Sequence, residues 1–139
     1  MNREQRLEAM AAADAAAIVA LADDVLETFE VEVTRGPTVG LLMVRVEEPA
    51  DRLPFNFTEV TVAEAEVSAG EHRGYAMVMG KSMEHALAAA VLDAAVAADH
   101  PLSDRIDLFL RDADRAEERG WAARWAEVAP TRVRFEDVT

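Results

Sequence analysis

The residues best suited to chemistry in this sequence are few and scattered. Three histidines, His72, His85 and His100, lie far apart. None has a second histidine or a cysteine at metal-ligand spacing, so no metal site is expected. Cysteine is absent. That excludes disulfides, thiolate nucleophiles and cysteine-ligated iron–sulfur clusters on this chain. Glu84 and His85 are helix neighbours and point in different directions. His85 therefore reads as a surface or partly buried helix residue before it reads as a ligand or base. Gly80-Lys81-Ser82 ends like a phosphate-binding loop, but Tyr75 stands where that loop needs its first glycine. What is left is a strand–turn–helix junction whose amides, beside Lys81, suit an anion; a plain turn is the simpler reading. Arg111, Arg115 and Arg119 share one helix face and suit phosphates or an acidic partner. Asp107 and Asp112 sit at pairing distance along the same helix, so a self-paired, solvated face is the simpler reading. Arg35 and Arg45 end two expected strands, and Asn56 and Glu59 enter a third. Polar residues at strand ends beside loops are candidates for a binding rim. No serine–histidine–acid set can be assigned, because those roles are set by geometry.

The elements that must position these residues follow from periodicity. Arg3–Glu27 is rich in alanine, the best helix former, with Leu7, Met10, Ile18, Leu21 and Val25 at helical spacing. Asp14 is a natural N-cap for a second piece, so two short helices or one bent helix are expected. Phe29, Val31 and Val33 alternate with polar residues, as in a half-buried strand. Gly36 to Gly40 has turn composition. Leu41-Leu42-Met43-Val44 is apolar on both faces and reads as a buried strand. Thr58–Ser68 is a β-branched strand, and Arg73–Met79 is a fourth, after the turn at Gly70-Glu71-His72. Ser82 caps a helix from Met83 to Ala98, with Met83, Leu87, Val91 and Ala94 as one apolar stripe and Leu92 and Val96 beside it. A further helical region runs from Ser103 to about Val128, interrupted or bent at Gly120. Arg132–Phe135 alternates as a short last strand. The expected fold is α+β, one domain over residues 1–139. It has N-terminal helices, a four-stranded antiparallel meander, two C-terminal helical regions and a short final strand.

A chain of 139 residues can bury a core without staples. The net charge of −13 repels phosphate backbones, so no nucleic acid is expected as a partner. No run of about 18 apolar residues suggests a membrane span. Glu4, Glu8 and Asp14 break up any signal-peptide layout, and a cytoplasmic location is expected. An open sheet leaves edges to be covered. Met43, Met77 and Met79 on two of its strands favour a partner chain or self-association.

Several blocks in order resemble a known family. Arg35 to Arg45 is similar to the first hairpin of PhnG, a subunit of the carbon–phosphorus lyase system. Pro54-Phe55-Asn56 with Glu59-Val60-Thr61-Val62 resembles that family's next block. Gly74-Tyr75 to Gly80, His85-Ala86, Ala90 to Ala94, Ala123-Arg124, Glu127-Val128 and Thr131-Arg132-Val133 with Phe135 continue the match. The chain departs from the pattern at Phe57-Thr58, at Glu64 where arginine is usual, and at Lys81-Ser82.

The resemblance implies phosphonate catabolism. It implies an accessory subunit that assembles with PhnH-, PhnI-, PhnJ- and PhnL-type partners, with room for a homodimer when isolated. That assembly displaces adenine from ATP by an alkylphosphonate, giving a ribose 1-phosphonate 5-triphosphate. The chemistry is implied for the partners, with no cofactor and no catalytic residue on this chain. Arg35, Arg45, Asn56, Glu59, His85 and Arg132 are its polar positions that match the family, as substrate-binding or interface candidates. The rival readings are a self-associating binding module or paralogue outside any lyase complex, and an enzyme in its own right.

Overall fold

Alanine and well-placed caps account for the first two helices. In the computed structural model, which describes residues 1–131 (side chains at 55–57 and 131 aside), α1 spans Arg3–Ala12 and α2 spans Ala15–Leu26. Asn2 and Gln5 form a reciprocal capping box on α1, satisfying two otherwise orphaned amides. The Asp14 side chain accepts from the Ala17 N–H at 3.1 Å, which starts α2.

Among the described residues the sheet has three antiparallel strands in the order β1-β2-β3: β1 Glu32–Glu47, β2 Pro54–Ala69 and β3 His72–Met79. The four-stranded meander expected from the sequence is corrected here. Its first two strands are one strand of 16 residues. Gly36-Pro37 does not reverse the chain. The β1–β2 register shifts between Val33 and Arg35 and between Arg35 and Thr38, and pairing then resumes. Gly36, at φ +74°, and Pro37, which has no N–H to give the ladder, form an irregularity that the strand passes through. Turn composition and bulge composition are the same residues, so the period alone does not tell them apart. The expected last strand at Arg132–Phe135 lies outside the described residues.

Helix α3, Met83–Ala97, starts at Ser82, whose Oγ accepts from the His85 N–H. It is buried nearly all round, from His85 through Ala95, so the stripe expected for it is too narrow. Met83, expected in that stripe, is 46% exposed. The sheet takes one side of α3, and α2, α1 and α4 take others. Gly74 of β3 permits that approach. A Cβ there would collide with the Ala90 carbonyl oxygen and lie 2.6 Å from the Ala94 nitrogen.

Helix α4 runs unbroken over Ser103–Val128, so Gly120 does not interrupt it. Gly120 costs about 1 kcal/mol relative to alanine, and the alanine, arginine and glutamate around it carry the helix through. His100 shapes the turn before α4. Its Nδ1 accepts from the Leu102 N–H, so Nε2 holds the proton and donates to Thr28 Oγ1, both at 3.0 Å. The core gathers Met10, Ile18, Val25, Val67, Val78, Leu92, Ile106 and Leu110, each aliphatic side chain contributing about 1.5–3 kcal/mol. No helix among the described residues is long and apolar enough to cross a membrane.

Candidate functional site

Among the described residues, strand β3 pairs with Val62–Ala69 of β2. Beyond it, Leu41–Glu47 of β1 and the first half of β2 pair with each other and, among the described residues, with no further strand. They form a two-stranded arm of about 23 Å, at 3.3 Å per residue. Loop Glu48–Leu53 closes its tip. The Glu48 carboxylate accepts from the Ala50 and Asp51 N–H groups, at 2.9 and 2.7 Å. Those bonds hold its pKa below the usual value, the Asp51 amide foremost.

Alternation puts Leu41 and Met43 on one face of the arm and Leu42 and Val60 on the other. Leu41 is 68% exposed, Leu42 43% and Met43 49%. An isolated two-stranded ribbon is marginal in water, and this one is apolar on both faces. On one face the apolar strip continues onto the sheet. Leu42, Val44, Val60, Val62, Met77 and Met79 line a groove closed on one side by Ala11 and Ala12 of α1.

The sequence-predicted positions do not converge on one centre. Arg45 and Asn56 are cross-strand partners in the arm, beside a register shift at Val44/Arg45, and Glu59 lies opposite Met43. Arg35 sits about 30 Å away along β1, by strand rise. His85 is buried, and its Nε2 donates to the Met10 carbonyl at 2.8 Å. Arg132 lies outside the described residues. Among the described residues no group of histidines and carboxylates could hold a metal ion.

Arg35 belongs to a second cluster that the sequence did not reveal. Its guanidinium stands 3.5 Å from the Glu64 carboxylate. The Tyr75 hydroxyl donates to the same carboxylate at 2.9 Å. Thr34 donates to Glu66 next door. The pairing of Arg35 with Glu66 across β1 and β2 explains the meeting. Glu64 and Glu66 together outnumber Arg35 in this cluster, which disfavours a phosphate there.

Burial raises the Tyr75 pKa, and the hydrogen bond and charge of Glu64 raise it further. A raised phenol pKa stabilises the fold below the ordinary tyrosine value of about 10. That contribution is lost as pH climbs through the folded value. Tyr75 is the sole tyrosine, so the ultraviolet absorbance of phenolate reports it alone. Titration should give a midpoint above the ordinary value, and Glu64→Gln should lower it. A wild-type midpoint at or below the ordinary value would contradict the geometry.

Of the arginine stripe on α4, Arg111 and Arg115 line a cleft against α1 together with Glu8, Asp114, Glu117 and Glu118. Arg115 approaches Asp112 at 3.9 Å. Carboxylates outnumber cations there, so the cleft is unsuited to an anionic ligand. At the α3 N-terminus, Ser82 already occupies the His85 amide.

Sequence reasoning also passed over Asp93. Its side chain is 1% exposed and receives two hydrogen bonds from the Arg3 guanidinium, at 2.9 and 3.3 Å, and one from the Tyr75 N–H at 2.9 Å. The same contact raises the pKa of Arg3, chiefly through the hydrogen bond and then the charge of Asp93. An aspartate within the alanine-rich, apolar run Ala86–Ala97 was the available signal, since buried carboxylates demand partners.

The described residues therefore hold exposed apolar surface, an excess of carboxylates and no convergent catalytic set. No curated protein matches the chain. A family model described as phosphonate metabolism protein PhnG matches residues 1–139, the whole chain. The chain accordingly belongs to the PhnG family and takes its role in phosphonate metabolism.

Proposed function

We propose that this chain is an accessory, non-catalytic subunit of a carbon–phosphorus lyase core complex. With PhnH-, PhnI-, PhnJ- and PhnL-type partners it would serve the displacement of adenine from ATP by an alkylphosphonate. The observation that carries the reading is the arm. A ribbon exposing Leu41, Leu42 and Met43 on its two faces has the character of a surface awaiting a partner. Arg45, Asn56 and Glu59 lie on the same arm, where they would border the contact and fix its register. Arg35 is held by Glu64, His85 by packing, and neither needs to touch substrate in this account. The absence of cysteine fits a division of labour in which radical chemistry belongs to another subunit.

Isothermal titration with a PhnI-type subunit tests this. Micromolar or tighter binding is expected for the wild type. Leu41→Asp with Met43→Asp should weaken it by about 3 kcal/mol, since carboxylates would enter a desolvated contact. Absence of micromolar binding by the wild type would sink the reading. The chain alone, given ATP and methylphosphonate, should release no adenine; robust release would assign the chemistry here instead.

A further inference from the structure

A second apolar surface lies away from the arm, and the chain itself carries a ridge that matches it. Helices α2 and α3 present parallel rows of side chains: Val19, Ala22 and Leu26 on one, Leu87, Ala88 and Val91 on the other. Val19, Ala22 and Leu26 fall at i, i+3 and i+7, and Leu87 and Val91 at i and i+4 with Ala88 beside them, each set on one helix face. Val31 and Val33 close the groove at one end, and Asp23 and Glu84 rim it. Leu26 is 41% and Val33 47% exposed. From Leu7 to Thr34 the sequence has no lysine or arginine and has seven carboxylates. The groove therefore repels anionic surfaces and suits an apolar helix with a cation at its flank.

The far end of α4 is such a helix. Trp121, Trp125 and Val128 are spaced i, i+4, i+7 and are 63%, 61% and 55% exposed. Arg124 stands over the Trp121 ring at 5.3 Å, beside this ridge. Because the ridge is exposed in its own chain, it does not occupy its own groove. Helix α4 is 26 residues long, about 39 Å at 1.5 Å per residue, and its buried residues, Ile106 and Leu110, lie in its first third. Trp121 and Trp125 thus present apolar surface.

We propose that the α4 end of one chain seats in the α2–α3 groove of a second copy, reciprocally, in a two-fold dimer. Trp121 and Trp125 fill the groove and Arg124 meets the Asp23–Glu84 rim. Two exchanged arms bury four indoles, each of about 150–250 Å² at full burial. With the matching groove surface this approaches the roughly 1,200 Å² of a stable interface. The dimer does not rest on the lyase-assembly reading, since it uses neither the arm nor a foreign partner.

Sedimentation across concentration is the test. The chain should form dimers with a Kd of about 10 μM or tighter. Trp121→Ser with Trp125→Ser should give monomers, with circular dichroism unchanged because both side chains are exposed. Arg124→Glu should weaken the dimer about tenfold, as should Asp23→Arg; the two together should restore it. Both tryptophans of the chain lie on this ridge, so their emission should shift to the blue on dimerisation. Leu41→Asp with Met43→Asp should leave the dimer intact. A monomer at all concentrations would overturn the proposal. So would a dimer indifferent to the tryptophan pair, or one broken by the arm variant.

Discussion

Gly74→Ala is expected to lose about 3 kcal/mol of stability, at the upper end of overpacking effects. The reason is a collision between backbones. A Cβ at this position meets the Ala90 carbonyl oxygen and the Ala94 nitrogen and Cβ. Two of those three atoms are main chain of α3, and a helix backbone cannot rotate out of the way as a side chain can. Either α3 lifts from β3 or the strand bends. Both open the packing of Ala63, Ala65, Ala76 and Val78 beneath it, all buried. Urea denaturation measures the loss. Gly120→Ala is the control: nothing lies within 4 Å of its would-be Cβ. It should gain about 1 kcal/mol from helix propensity. If both alanines prove neutral, the close contact of α3 with β3 is wrong.

Asp93→Ala is the second large effect, expected at about 3 kcal/mol. The Asp93 carboxylate joins three elements. Arg3 comes from the start of α1, Tyr75 from β3, and Asp93 itself from the middle of α3. Hydrogen bonds to a charged group contribute about 1.5–3 kcal/mol, and an orphaned amide adds a cost of its own. Removal leaves the Tyr75 N–H without its partner at a tightly packed junction. Arg3→Ala should also destabilise, by about 2 kcal/mol. It strips the buried carboxylate of its cation, although the arginine side chain is itself 57% exposed and part of its contribution is screened. In a double-mutant cycle the two losses should be strongly non-additive, because they share one interaction. Additive losses would show that the pair does not form in solution.

The residues involved explain what could be read from the sequence. Helix α2 was legible because Asp14 caps it and Ile18, Leu21 and Val25 repeat on one face, and all three are buried. Strand β3 was legible because Tyr75, Met77 and Met79 alternate with Ala76 and Val78, and the latter pair faces the core. Strand β1 was misread at Gly36-Pro37. Local composition marks an irregularity there, and only the length of the partner strand decides whether the chain turns or continues. The α3 stripe was drawn too narrow because alanine marks no preferred face. The candidate site was less legible than the fold. Arg45 and Asn56 meet through register, which no local pattern encodes. Glu64 lies 29 positions from Arg35 and 11 from Tyr75, yet both contact it. Asp93 and Arg3 are 90 positions apart.

Hydrogen exchange on the arm tests the assembly reading most directly. In the free chain the amides of residues 41–47 and 55–61 should exchange fast, because among the described residues this two-stranded ribbon has no third strand. With a PhnI-type subunit bound, the same amides should slow by at least about tenfold, while those of α3 stay as slow as before. Protection of the arm on binding is the result the account predicts. Binding that leaves arm exchange unchanged would contradict it.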